Sequence, residues 1–219
     1  MEIFPVQAPK TSANFLAYVD SHFYDNTLFH RVVKGFVNQG GGYDATSYQA
    51  KTTLSPIKYE VTGLSNIQYA VAMARTNDPD SATSQFFIDA VDNSAGLNYK
   101  DASNPGYSVF GYVIQGRDVV DAMNKVAVDA TYNIPLTDVV LQSVSYTRVD
   151  LDGAAGKAYR IYKAAFNRDP MQGDKAGLGY WIAKMDQGMD LLEVAARFID
   201  SKEFRDLYGT KPSNGEFLT

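Results

Sequence analysis

The stretch Phe29-His30-Arg31-Val32-Val33-Lys34-Gly35-Phe36-Val37-Asn38-Gln39-Gly40-Gly41 decides how the rest of the chain is read. Phe29, Arg31 and Val33 alternate with Leu28, His30 and Val32, the period of a strand, and the pattern breaks at Lys34-Gly35. Gly40-Gly41-Gly42 ends it. An arginine inside such an alternation is costly to bury alone, so Arg31 needs anionic or carbonyl partners. Phe36 and Gln39 flank it one tight turn away. Taken by itself Arg31 reads as a salt-bridged surface arginine, and its neighbours must decide otherwise.

Upstream, Pro9 suits a first helical position, and Phe15, Leu16, Val19 and Phe23 form one stripe of a helix over Lys10–Phe23. Downstream, the stretch 43–68 is polar and irregular, with a short strand expected near Lys58–Val61. Ala70–Arg75 and Ser84–Asp89 read as strands around the turn Asn77-Asp78-Pro79-Asp80. Tyr107–Ile114 and Asp138–Thr147 read as further strands, and Arg117–Val126 as a short amphipathic helix. Many short strands with two helices predict a mainly β plus α fold, a closed or nearly closed barrel.

Beyond Val149 the apolar period changes from 2 to 3.6. Ala155, Tyr159, Tyr162 and Phe166 mark one helix, and Trp181 with Met185 a second. Asp190 and Glu193 form a capping-box pair before a third, and Ser201 to Tyr208, stopped by Gly209, makes a fourth. The predicted organisation is a barrel domain over 1–149 and a small helical domain over 154–219, joined at Asp150-Leu151-Asp152-Gly153.

Composition narrows the chemistry. Twenty Lys plus Arg against 25 Asp plus Glu give a net charge of −5, which argues against nucleic-acid binding. The excess lies in residues 1–150, with 10 basic and 15 acidic side chains, while 151–219 carries 10 of each. With no cysteine, disulfides and thiol chemistry drop out. No apolar run approaches the roughly 20 residues of a membrane-spanning helix. The histidines, His22 and His30, lack zinc-protease spacing, and no P-loop lysine follows the triple glycine. Pro56 spoils the helix that a Ser55-x-x-Lys58 nucleophile requires. The carboxylate pairs Asp78/Asp80 and Asp89/Asp92 read as solvated turn formers.

The block from Phe29 to Gly41 resembles the signature of cyclophilins, the cyclosporin-binding peptidyl-prolyl cis–trans isomerases. The likeness extends to Ala8-Pro9-Lys10-Thr11 with Asn14-Phe15, Phe23-Tyr24-Asp25-Asn26-Thr27, Ala72-Met73-Ala74-Arg75-Thr76, Ser81-Ala82-Thr83-Ser84-Gln85-Phe86-Phe87-Ile88, Tyr107-Ser108-Val109-Phe110-Gly111 and Gly116-Arg117-Asp118-Val119-Val120. It covers about residues 1–148 and implies an eight-stranded barrel capped by two helices. The family's first strand and much of the second would lie ahead of Met1, which implies a longer native chain.

By resemblance, Arg31, Phe36 and Gln39 are the catalytic residues. Phe36, Val37, Phe87, Leu97 and Tyr107 would line the proline pocket. Gln39 and the backbone around Ala74 and Arg75 would hold substrate carbonyls, with Gln85 supporting Arg31. Such a reaction needs no metal or cofactor, and its partners would be proline-containing polypeptides. Val37 stands where the family commonly has Met, and Gly96 lies where an aromatic is usual, which argues against tight cyclosporin binding. A non-catalytic peptide-binding or surface-assembly role is the alternative.

Residues 155–208 resemble a bacterial helical family of unknown function found in secreted and surface proteins, through Ala158-Tyr159-Arg160-Ile161-Tyr162, Asn167-Arg168-Asp169-Pro170, Gly177-Leu178-Gly179-Tyr180-Trp181 and Phe198-Ile199-Asp200-Ser201-Lys202-Glu203-Phe204. This implies a bacterial, extracytoplasmic protein whose helical domain docks it to a partner. Trp181 reads as core. Asp169 and Asp174 read as turn residues rather than calcium ligands, and the family's pattern continues past the end of this chain.

Overall fold

The computed structural model describes residues 1–147, 153–166 and 175–209. Six strands pair antiparallel in the order β1-β7-β5-β6-β4-β3: β1 (Glu2–Ile3), β3 (Arg31–Val33), β4 (Val37–Gly40), β5 (Ala70–Met73), β6 (Phe86–Asp89) and β7 (Val109–Tyr112). A second pair joins β2 (Thr27–Leu28) to β8 (Val140–Leu141). The Leu28 N–H donates to Tyr43 O, and Gly41 N–H to Leu28 O, so β2 lies against the continuation of β4. Among the described residues no ladder joins β1 to β8. The barrel architecture is therefore present as two paired sheets without closure.

Period-2 alternation gives the large sheet two different faces. Val71, Met73, Phe86, Ile88 and Phe110 enter the main core with Phe15, Tyr18, Tyr24 and Val120. Their alternating neighbours Ala70, Ala72, Phe87 and Val109 join Val37 in a separate apolar cluster on the opposite face. That second cluster carries the candidate site.

Helix α1 (Pro9–Asp20) packs Phe15, Tyr18 and Val19 into the main core, with Pro9 in its first turn as expected. Its N-cap, Ala8, has no side-chain acceptor. Glu60, remote in sequence, accepts from the N–H groups of Lys10 and Thr11 at 3.2 and 2.6 Å and satisfies two orphan donors. The helix stops at Asp20, not Phe23, because the chain reverses at His22, whose φ is 55°. Phe23 still meets Tyr18, with ring centroids 4.6 Å apart. The strand expected near Lys58–Val61 is absent. There Asp80 accepts from Lys58 Nζ at 2.7 Å and from Tyr59 N–H at 2.9 Å, leaving one isolated bridge from Ile57 to Ala82.

Beyond the strands, α2 (Ser94–Leu97) is a single turn and α3 (Arg117–Met123) a short amphipathic helix. A buried amide pair ties α3 to the β3–β4 hairpin. Asn38 Nδ2 donates to Val120 O at 3.1 Å, and Asn124 Nδ2 donates to Asn38 Oδ1 at 2.8 Å and to Val33 O at 3.1 Å. Asn124 Oδ1 accepts from Gly35 N–H at 2.8 Å. Gly35 has φ +70°, a conformation glycine adopts without strain.

The chain divides into two compact units, Met1–Tyr146 and Thr147–Thr219. In the second, α4 (Ala154–Phe166), α5 (Lys175–Asp186), α6 (Leu191–Ile199) and α7 (Lys202–Tyr208) enclose Ala158, Tyr162, Phe166, Leu178, Val194, Phe198 and Phe204. Trp181 and Met185 pack on this core partly buried. Asp190 caps α6 through Glu193 N–H at 2.8 Å, and Ser201 caps α7 through Phe204 N–H at 3.1 Å. Glu193 itself turns to Arg197, at 3.9 Å, rather than completing a reciprocal box. Asp169, Asp174, the Asn167–Pro170 motif and most of the junction lie outside the described residues.

Removing the Asn124 side chain strands the buried Asn38 acceptor and the Gly35 donor together. Asn124→Ala is expected to lower the urea-unfolding stability of the barrel unit by about 1–3 kcal/mol. An unchanged midpoint and slope would show that water replaces the amide there.

Candidate active site

The register of the large sheet brings most of the sequence-predicted residues into neighbouring rows. Arg31 pairs with Gln39, Gln39 with Phe87, and Phe87 with Ala72. One step along, Val37 pairs with Asp89; one step the other way, Ala74 N–H donates to Gln85 O at 2.9 Å. Because side chains two apart share a face, Arg31, Gln39, Val37, Gln85, Phe87 and Ala74 all lie on the face opposite the main core.

A polar chain crosses this face. Arg31 Nη1 donates to Gln39 Oε1 at 3.3 Å, and Gln39 Nε2 donates to Gln85 Oε1 at 2.9 Å. The carbonyl partner that Arg31 requires is thus the Gln39 amide. Gln39 faces both neighbours without ambiguity, since its oxygen accepts from a guanidinium and its nitrogen donates onward. Among the described residues no carboxylate pairs with Arg31, so this planar cation retains donors for another acceptor. Gln85 reaches its place because Gly42 has no Cβ; one there would stand 2.6 Å from Gln85 Nε2.

Beside the polar chain lies the apolar wall. Val37 and Phe87 are buried, and Phe36, Leu97, Ala74 and Tyr107 pack partly exposed on the same cluster. Phe87 and Tyr107 meet edge to face with centroids 5.4 Å apart. The segment from Leu97 to Tyr107 is folded back on itself by Tyr107 N–H to Leu97 O, 2.9 Å. Gly106, at φ +63°, allows this, since a Cβ there would collide with the Leu97 carbonyl.

Arg75 differs in role from its neighbours. Its Nε and Nη2 donate to Gly106 O at 3.1 and 2.7 Å, and its guanidinium sits 4.7 Å from the Tyr107 ring. The side chain therefore fixes the loop behind Tyr107. Ala74 N–H is already used within the sheet, where it donates to Gln85 O.

Three residues that the sequence reading passed over shape the wall. Asn66, fully buried, donates to Leu97 O at 3.0 Å, while Asn98 accepts from Asn66 N–H at 2.7 Å. Asn93 donates to Phe36 O at 3.0 Å. A cluster of asparagines in a loop beside apolar residues was the available signal. Asp89, read as solvated, is fully buried; Asp92 does form the exposed turn, accepting from Ser94 N–H at 2.9 Å. The reversal follows from strand position, since Asp89 ends β6 on the covered part of the groove face.

The family model for "Cyclophilin type peptidyl-prolyl cis-trans isomerase/CLD" matches residues 1–146. The chain belongs to the cyclophilin family. A peptidyl-prolyl cis–trans isomerase of Streptomyces antibioticus is 50% identical over 149 residues, covering 65% of this chain and 89% of that protein. Peptidyl-prolyl cis–trans isomerase B of Escherichia coli is 45% identical over 151 residues, covering 66% of this chain and 91% of that protein. A Cryptosporidium parvum cyclophilin-type isomerase, crystallised in the presence of the dipeptide Ala-Pro, aligns with TM-score 0.56 and 27% identity, covering 67% of this chain and 91% of that one. Family and relatives together support peptidyl-prolyl isomerase activity in this cyclophilin, and the relatives include several bacterial proteins. No helix among the described residues is long and apolar enough to cross a membrane.

A buried carboxyl, Asp89, and a half-buried imidazole, His30, carry shifts with opposite consequences. Burial pushes the Asp89 carboxyl up to about 7 and the His30 imidazole down to about 4. His30 Nδ1 has no hydrogen-bond partner, and its ring lies 4.7 Å from that of Tyr43. Asp89, raised from 3.8, contributes stability that is full at low pH and lost as pH rises toward 7. His30, lowered from 6.5, contributes stability that is full above 6.5 and lost as pH falls toward 4. The two slopes oppose each other over the same range. Urea stability of Asp89→Asn is therefore expected to climb from low pH to neutrality, and that of His30→Gln to decline. Parallel profiles in the two variants would contradict these assignments.

Proposed function

We propose that this cyclophilin accelerates X-Pro isomerisation through Arg31, acting beside an apolar pocket formed by Phe36, Val37, Phe87, Leu97 and Tyr107. The observation that carries this reading is the Arg31–Gln39–Gln85 hydrogen-bond chain running along the edge of that apolar cluster.

Amide resonance sets a barrier of roughly 18–20 kcal/mol to rotation about a peptide bond, lower by little for proline. As the bond twists, the resonance breaks and the proline nitrogen regains a lone pair. A donor aimed at that nitrogen binds the twisted form better than the planar one, which is the condition for catalysis. Arg31 supplies such a donor as a permanent cation. Gln39 holds the guanidinium from one side, and Gln85 holds Gln39, so little reorganisation is needed when the lone pair develops.

The apolar wall takes the proline ring and keeps it still while the acyl side turns. Gln39 contributes a carbonyl contact when substrate displaces one of its present bonds. No proton changes hands and no covalent bond forms, so the scheme asks for no base, nucleophile or metal. Substrates are proline-containing polypeptides in flexible segments, where uncatalysed exchange takes tens of seconds or longer. The helical unit, Thr147–Thr219, is read as the docking module that holds the isomerase at an extracytoplasmic site.

Exchange NMR on an Ala-Pro-Phe peptide tests the catalytic role. The parent chain is expected to accelerate cis–trans exchange, and Arg31→Ala to lose about ten-fold or more of that acceleration while still folding. A folded parent that broadens peptide signals without accelerating exchange would make the groove a binding scaffold.

A further inference from the structure

Asn93 stands where the two walls of the apolar pocket meet. Its side-chain Nδ2 donates to Phe36 O at 3.0 Å and to Asp89 Oδ1 at 2.6 Å. Its backbone carbonyl accepts from Gly96 N–H at 3.0 Å and Leu97 N–H at 2.9 Å, and its own N–H donates to Asn66 O at 2.9 Å. One residue thus ties the Phe36 wall, through its side chain, to the Leu97 wall, through the helical turn it starts. Phe36 O also accepts from Ala90 N–H at 2.9 Å, immediately after Asp89.

Asp89 is the residue that orients this amide. It is fully buried, in register with Val37 on the groove face, and its Oδ2 has no hydrogen-bond partner. Nothing in the proposed catalytic scheme uses it. We propose that Asn93, held by the Asp89 carboxyl, is a positioning residue that sets the spacing of Phe36 and Leu97 and so couples the grip of the groove to the ionisation of Asp89. The proposal rests on the reading of Phe36 and Leu97 as pocket walls.

The physical chain is short. A neutral Asp89 offers Asn93 an acceptor without demanding water, which suits a covered site. An ionised Asp89 places a charge there that packing leaves unsolvated, and the wall over it must loosen to admit water. The charged groups on the surrounding elements do not compensate. Asp92, on its own loop, repels it; Lys34 is exposed on the hairpin; Arg117 lies 5.0 Å from the Tyr69 ring, whose hydroxyl bonds Asp121. With the carboxyl titrating at about 7, the change falls within the working range of most cells. Burial holds the His30 imidazole down at about 4, well below that range.

The test is the pH profile of kcat/KM for the Ala-Pro-Phe peptide, read by exchange NMR on the full chain. The parent is expected to lose about five-fold or more as pH rises through neutrality, the usual size of coupling between two sites. Asp89→Asn, whose amide cannot ionise, is expected to lack that fall, and Asn93→Ala to raise KM and flatten the profile. A flat parent profile, or an equal fall in Asp89→Asn, overturns the proposal.

Phe36→Ala run in parallel separates the two levels. If it matches the parent, the pocket reading fails and the coupling with it. If it is impaired while the parent profile is flat, the coupling alone fails. Should a variant not fold, the parent suffices: the Asp89 carboxyl carbon and the Phe36 and Leu97 amides are expected to titrate with one midpoint, and separate midpoints contradict the coupling.

Discussion

Because side chains alternate across a strand, the pairing of Arg31 with Gln39 and of Gln39 with Phe87 commits a whole face of the sheet at once. Slipping any of these ladders by one residue would turn Arg31 or Gln85 into the main core and expose Phe86 or Ile88. The register is secured from the core side, where Phe15, Tyr24, Phe86 and Phe110 pack ring on ring at 5.0–5.7 Å. What lies on the opposite face is then fixed by parity. A cation beside two amides and a cluster of apolar side chains is what that parity produces, and the proposed stabilisation of a twisted amide rests on that arrangement.

The groove is held less by its own residues than by those beneath it. Asn124 and Asn38 anchor the hairpin that ends in Phe36, and Asn66, Asn93 and Asn98 anchor the turn that ends in Leu97. Asparagine suits this work because one short amide both donates and accepts, satisfying irregular backbone that no ladder reaches. Arg75 adds the third wall by clamping Gly106 behind Tyr107. These hydrogen bonds tie the segments that carry Phe36, Leu97 and Tyr107 to the strands beneath them, and the proposed mechanism asks for such firm walls.

Much of this was legible in the sequence, and the reasons differ by residue. The hairpin from Phe29 to Gly40 announced itself by alternation broken at Lys34-Gly35, and the motif likeness placed Gln85, Phe87, Leu97 and Tyr107 beside it. Asp190 and Ser201 were readable as caps because capping depends on a local spacing. The long-range features were not. Glu60 caps a helix 49 residues away, and Asp89 is buried through packing by segments that no local pattern connects to it. Helix α1 ends early because of one reversed φ at His22, which apolar periodicity does not register. Closure of the barrel followed from strand count in the sequence reading, whereas pairing among the described residues leaves β1 and β8 unjoined.

The most direct measurement of the central claim is the map of intermolecular NOEs between the isotope-labelled chain and a peptide containing one Ala-Pro bond. The proline ring is expected to contact Phe36, Phe87 and Leu97, with the Arg31 guanidinium protons nearest the prolyl nitrogen. NOEs confined to other surfaces, with these four residues silent in a peptide that nevertheless exchanges faster, would contradict it.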